Sequence, residues 1–324
     1  MDTATQLVKD HWSAVDCSAD ERNFYCFPPL RARFSSMVFG KEDASPDWCE
    51  RLTADHFRGR LPFAKCLSIC CGFGHLERSL SKLGVARRFV GIDIAPGAID
   101  QARQRAIADG FSNIEYQVGD LNIDPLPNQE YDLIWANGAL HHLANLEEVV
   151  AKLSSALVRD GYLVCTEYIG PRYQQLNQAR QDLVHAARQL LPLELRSRVV
   201  VHRPFGTSLL ARTARFVARQ IDSKLHTEPA WEMLPLEYFL ATDPSESVSS
   251  DRIVSTLDRF FKTDVRGFGG SILYYALDTA FFRKFDARIE SHQTALQALF
   301  HFEDSHLSSI GHDNAHIICA RASR

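Results

Sequence analysis

The chain has 324 residues, 45% hydrophobic and 23% charged, with a formal net charge of −4; this describes a globular protein of one large or two small domains and excludes a disordered chain. The acidic sign argues against a general nucleic-acid binder, because phosphate backbones are held by Lys and Arg. No apolar run is long enough for a membrane span, the opening MDTATQLVKDHW lacks the regions of a signal peptide, and the eight scattered cysteines contain no C-x-x-C pair, so the expectation is a cytoplasmic protein with reduced thiols.

Residues 3 to 16 have helical spacing, with Leu7, Val8, Trp12 and Val15 on one face. A loop containing Pro28-Pro29 follows, and Ser45-Pro46 then starts a helix to about Phe57. Residues 1–60 are thus expected to form a helical lid. From 61 to 170 strands and helices alternate: strand 66–71, helix 74–83, strand 88–94, a helix from Pro96 to Gly110, strands 114–118 and 131–136, helix 145–157 and strand 161–168. That alternation specifies a parallel sheet covered on both faces. After Gly170-Pro171 the rhythm changes to helical patterns over 172–191, 205–220 and 250–261, which makes 171–260 an inserted helical cap. Strand character at 264–277 and 315–320, around a helical insertion, makes 261–324 the closing edge. The expected fold is a Rossmann-like, doubly wound, mostly parallel seven-stranded sheet.

The stretch from Lys65 to Asp93 reads KCLSICCGFGHLERSLSKLGVARRFVGID, a strand, a Gly72-Phe73-Gly74 turn, a helix, and a second strand ending in an acid nineteen residues after Gly74. This is how an α/β fold holds an adenosine-containing cofactor. In the dinucleotide pattern the third glycine lies beneath a pyrophosphate on the helix N-terminus, but that position here is Glu77, whose carboxylate would repel phosphate. A donor carrying a sulfonium cation tolerates an acid there. The signal therefore leans from NAD towards S-adenosylmethionine.

With Gly119-Asp120 after strand three and Asn137-Gly138-Ala139-Leu140-His141-His142 after strand four, the chain resembles the class I S-adenosylmethionine-dependent methyltransferases, closely over residues 66 to 168. It looks most like bacterial small-molecule methyltransferases with a helical cap. The runs EYIGPRYQ (167–174) and DPSESV (243–248) are similar to proteins of polysaccharide or specialised-metabolite pathways. The resemblance implies S-adenosylmethionine as cofactor, with Cys70, Gly72 and Gly74 lining its methionine and ribose portions. It further implies Asp93 on the ribose hydroxyls beside Ile94, Asp120 on the adenine amino group with Leu121 packed nearby, and the Asn137 backbone facing the methionine portion. Ser68 and Cys70 depart from the pattern, standing where an acid and a glycine are usual. Another acid would have to serve the cofactor's cationic end, and Glu77 is expected to face solvent.

The implied reaction is methyl transfer to an oxygen, or a nitrogen, of a small-molecule acceptor. In some relatives a histidine after strand four works with an acid after strand five, which carries over to His142 or His141 with Glu167 as the base. Trp12, Tyr25, Tyr168 and Tyr173 are candidates to surround the acceptor. From Arg172 to Arg219 nine arginines stand against Asp182 and Glu194. Arg172, Arg180, Arg188 and Arg196 form either a solvated helix face or a clamp for an anionic acceptor. No metal is expected from His292, His301, His306, His312 and His316, of which only the last two have i, i+4 spacing. No nucleic-acid or membrane partner is expected, and a monomer and a homodimer both remain open. The alternatives are an RNA or protein methyltransferase and an NAD-dependent oxidoreductase.

Overall fold

The computed structural model describes residues 3–14, 24–40, 48–196 and 231–321. Seven strands, β1 (Phe63–Ile69), β2 (Ala86–Asp93), β3 (Ile114–Val118), β4 (Tyr131–Asn137), β5 (Leu157–Tyr168), β6 (Phe261–Gly267) and β7 (Asn314–Arg321), form one sheet in the order β3-β2-β1-β4-β5-β7-β6. Strands β1 to β5 are parallel, whereas β7 pairs antiparallel with β5 and β6 antiparallel with β7. The sheet is therefore mixed, and the mostly parallel seven-stranded expectation holds.

The central strands β1, β4 and β5 are largely apolar because both faces are covered, whereas the edge strands β3 and β6 carry polar, exposed residues. Leu67, Ile69, Ile134, Ala136 and Leu163 pack on Val149, Val150 and Leu153 of the helix Leu146–Ala156. The opposite parity, Cys66, Leu133, Trp135 and Val164, packs on Leu80 of helix His75–Lys82 and on Leu52 and Phe57. Because β1 lies between β2 and β4, the chain reverses its direction of travel across the sheet there. A crevice for ligand opens at the carboxyl ends of strands at such a point. The glycine turn, Asp93, Asp120 and Asn137 all follow strands that end at this edge.

A second core brings distant segments together. Phe24, Phe27, Leu30 and Phe34 pack with Val184 and Ala187 of helix Gln178–Gln189, with Phe268 and Phe281, and with Leu296 and Leu299 of helix Glu290–Ile310. Among the described residues no helix is long and apolar enough to cross a membrane.

Several expected elements have different limits. Pro28-Pro29 is no loop but the first turn of a helix, Pro28–Phe39, where the missing N–H groups have no intrahelical partner to lose. The strand expected over 264–277 ends at Gly267; Gly269 and Gly270 turn left-handed, and Leu273–Ala276 is a helical turn whose Ile272 and Leu273 amides donate to the buried Glu303 carboxylate. The helix expected at 172 is a single 3₁₀ turn, Arg172–Gln174, before Asn177 caps Gln178–Gln189. The helix expected over 250–261 shortens to Ser250–Arg252 and Ile253–Leu257. Val15, Ser45-Pro46 and the helix expected over 205–220 lie outside the described residues.

Candidate active site

The turn after β1 is left-handed at Cys70 (φ 48°), Gly72 (φ 51°) and Gly74 (φ 69°). A side chain at Cys70 is held where glycine is easier, a local strain of about 1–3 kcal/mol. A Cβ at Gly72 would meet nothing within 4 Å, which leaves that side of the turn open for a ligand to approach. A Cβ at Gly74 would lie 2.3 Å from the Tyr116 hydroxyl oxygen, which itself donates to the Gly74 carbonyl at 3.2 Å. Gly74→Ala is expected to cost about 1–3 kcal/mol more than Gly84→Ala, because overpacking is added to the same backbone strain. Gly84 has φ 67° and open space around it. Thermal melts of the two variants measure the difference.

Asp93 ties the turn to the next helix: Oδ2 accepts the Gly72 amide at 2.9 Å and Oδ1 the Ala95 amide at 2.8 Å. Burial pushes its pKa up, against the pull of the Ala95, Gly72 and Ile94 amides. Asp120, half-buried, accepts from the Asn122 backbone and side chain, with Leu121 buried beside it. Asn137 is exposed at the end of β4. The Cys70 thiol is pushed well up by burial and then by the charges of Asp93, Glu167 and Asp120. Carboxylates at the ends of β2 and β5 and just after β3 thus lie at one edge of the sheet.

Beside it, the turn Leu140–His142 is organised by Glu167. Oε1 accepts the Ala139 and Leu140 amides at 2.8 and 2.9 Å, and Oε2 lies 2.8 Å from His141 Nδ1. Burial opposes charge on His141, yet the bond to Glu167 and its charge outweigh burial and hold the pKa above the ordinary value. With Nδ1 bonded to Glu167, Nε2 is left to accept a proton. The paired imidazole is thus His141 rather than His142, the first choice from sequence. His142 lies with its ring 4.1 Å from that of His141 and tilted by 40°, and its pKa is lowered by burial and by His141.

The DPSESV run fixes His142 from the other side. Ser245 Oγ donates to Asp243 and lies 3.1 Å from His142 Nδ1, while Glu246 Oε2 is 3.9 Å from Nε2. Glu246 also accepts from Gln174 and Ser247. Trp12 donates its indole N–H to Asp243 at 3.0 Å and sets its ring edge-on to His142 at 5.1 Å. Asp243, Ser245, Glu246 and Gln174 were not among the sequence candidates; the acid and hydroxyl content of the run was the available signal. His141, His142 and Glu246 bring ligand-capable atoms within 4.8 Å of one another, a spacing that would also suit a cation, which the sequence reading did not expect.

The other candidates lie at varied distances from this centre. Tyr168 is buried with its ring 6.3 Å from His141 and its hydroxyl 2.7 Å from that of Tyr275. Tyr25 donates to Asn314, and Tyr173 packs on Phe239 at 6.4 Å. Arg172 is exposed and lies over the Tyr173 ring. Arg180 and Arg188 are buried rather than solvated, but they pair with Asp313 and Asp278 and donate to the Ser271 and Ala276 carbonyls. Arg196 donates to Leu191 and Gln189. The remaining five arginines of the run lie outside the described residues. His312 accepts the Gly269 amide and His316 bonds Thr166, so both have structural partners. Glu77, expected at the surface, is completely buried beneath the glycine turn.

A family model for a methyltransferase domain matches residues 66–161. Among curated proteins the chain is similar to malonyl-[acyl-carrier protein] O-methyltransferase of Enterobacter lignolyticus, 28% identical over 160 residues covering 47% of this chain and 60% of that one. The protein of the same name from Acetivibrio thermocellus is 33% identical over 111 residues, 34% of this chain and 38% of that one. Among solved structures, Haemonchus contortus phosphoethanolamine N-methyltransferase 2 in complex with S-adenosyl-L-methionine is 15% identical, covering 94% of this chain and 59% of that one with a TM-score of 0.45. The matches span 60% or less of those curated relatives' lengths. Residues 66–161, which carry the glycine turn, Asp93 and Asp120, are thus a methyltransferase domain of the class I S-adenosylmethionine-dependent kind.

Proposed function

We propose that the protein is an enzyme that moves a methyl group from S-adenosylmethionine to an oxygen, or a nitrogen, of a small-molecule acceptor in a specialised-metabolite or polysaccharide pathway. The observation that supports this most is Asp93 bonded to the Gly72 turn at the end of β2, with the His141–Glu167 pair at the same sheet edge and Asp120 following β3 there. Three carboxylates suit a sulfonium cation and disfavour a pyrophosphate, and the open side of Gly72 leaves room for the ligand backbone, so the residues fit the cofactor.

When bound, the cofactor supplies a methyl group activated by the sulfonium charge. Asp93 holds the ribose hydroxyls on lone pairs not used by Gly72 and Ala95, and Asp120 faces the adenine. Cys70, Gly72, Gly74 and Asn137 shape the methionine end. Most of the rate comes from alignment of acceptor and methyl, which can supply roughly 7 to 11 kcal/mol. His141 takes the acceptor's proton at Nε2, and Glu167 steadies the imidazolium that results. Trp12, Tyr168 and Glu246 border the acceptor. The inward Arg180 and Arg188 are paired with Asp313 and Asp278, and Asp243 and Glu246 beside His142 favour a neutral or amine-bearing acceptor.

Isothermal calorimetry with S-adenosylhomocysteine is the first test, and saturable binding is expected. A wild-type protein that takes up no S-adenosylhomocysteine would sink the proposal. Transfer of label from methyl-labelled donor to a panel of hydroxyl and amine acceptors then separates oxygen from nitrogen as the target.

A further inference from the structure

The carboxylate missing from β1 at Ser68 arrives from the helix His75–Lys82. Glu77 is completely buried, the Ser68 side chain pulls its pKa down against burial, and its Oε2 lies 3.5 Å from the Tyr116 hydroxyl that also bonds the Gly74 carbonyl. Its Oε1 has no hydrogen-bond partner. The neighbouring cation is engaged elsewhere: Arg78 donates to the carbonyls of Phe73 and Gly74 and pairs with Asp109. The other groups facing the carboxylate are the Cys66 and Cys71 thiols and the Tyr116 phenol, all with pKa values raised by burial and so neutral near pH 7. A buried carboxylate with an open oxygen is unfavourable, and glutamine would fill the same volume without charge.

We propose that Glu77 is a specificity-determining residue of the cofactor site, its buried charge favouring the methylated, sulfonium-bearing cofactor over the demethylated thioether. This rests on the methyltransferase reading. The two ligands share their adenosine and amino-acid portions and differ by the sulfonium charge, so a carboxylate behind the turn acts on that difference. Burial holds the Glu77 pKa up at about 7; near neutrality the group is partly protonated, and a cation arriving at the turn draws it to the charged form. Linkage is reciprocal. The charged ligand therefore binds better as pH rises and Glu77 ionises, and the uncharged product gains less. Product is then displaced by fresh donor.

The test is calorimetry of the wild type and Glu77→Gln with S-adenosylmethionine and S-adenosylhomocysteine between about pH 6 and about pH 8, where one unit of pKa shift corresponds to about tenfold. In the wild type the preference for S-adenosylmethionine is expected to grow several-fold across that range. In Glu77→Gln it should stay flat, with Asp93, the other buried acid of the turn, unchanged in both proteins. Adding Ser68→Asp to Glu77→Gln is expected to restore the preference, which a packing role would not do. A pH-independent preference in the wild type overturns the proposal without any variant, as does a wild-type slope in Glu77→Gln. Binding of neither ligand by the wild type overturns the methyltransferase reading and this proposal together.

Discussion

Asp93→Ala is expected to weaken S-adenosylhomocysteine binding by at least about a hundredfold, close to loss of signal in calorimetry. The side chain works twice. Its two oxygens join the Gly72 and Ala95 amides, and in the proposed function its remaining lone pairs would take the ribose hydroxyls. Hydrogen bonds to a charged group contribute about 1.5–3 kcal/mol each, so two lost ribose contacts account for the expected change. Asp93→Asn retains an oxygen for one amide and should fall between wild type and Ala. An Asp93→Ala protein that binds with wild-type affinity would remove this residue from the cofactor site.

Glu167→Gln is expected to lower kcat by about 10²-fold or more, the range of general-base contributions, while cofactor affinity changes little. The amide oxygen can still accept from Ala139 and Leu140, so the turn should survive. The amide nitrogen, however, would face His141 Nδ1 as a donor and favour the tautomer with hydrogen on Nε2, which cannot accept a proton. The pH profile gives a second readout. The Glu167 bond and charge hold the His141 pKa above its ordinary value against burial; since the base must be neutral, wild-type activity is lost as pH falls through that raised value. Removing the charge lets burial lower the pKa, so the acid limb should move to lower pH. Unchanged kcat with an unmoved limb would exclude His141–Glu167 as the base.

The parallel core was legible because its information is local. Most strands from Cys66 to Tyr168 are apolar runs bounded by glycine or an acid, the edge strand Ile114–Val118 being the polar exception, and the ligand edge follows from strand direction alone. What sequence reading missed depends on contacts across long separations. Ser245 meets His142 across 103 positions and Trp12 meets Asp243 across 231. Glu77 was misplaced for another reason. It stands three residues before the buried Leu80, and hence on the inward face of its helix, but a charged residue in a first helical turn ordinarily faces water. Pro28-Pro29 misled because a proline pair punctuates a chain as readily as it opens a helix.

The chain of contacts from Trp12 through Asp243 and Ser245 to His142 would, in the proposed function, make acceptor recognition a property of three separate stretches of polypeptide. Such recognition cannot be transplanted as a cassette. A chimera that received residues 171–260 from another enzyme would present a foreign acid and hydroxyl to this chain's indole and imidazole. Evolution of a new acceptor preference here requires matched changes near the start, middle and end of the chain.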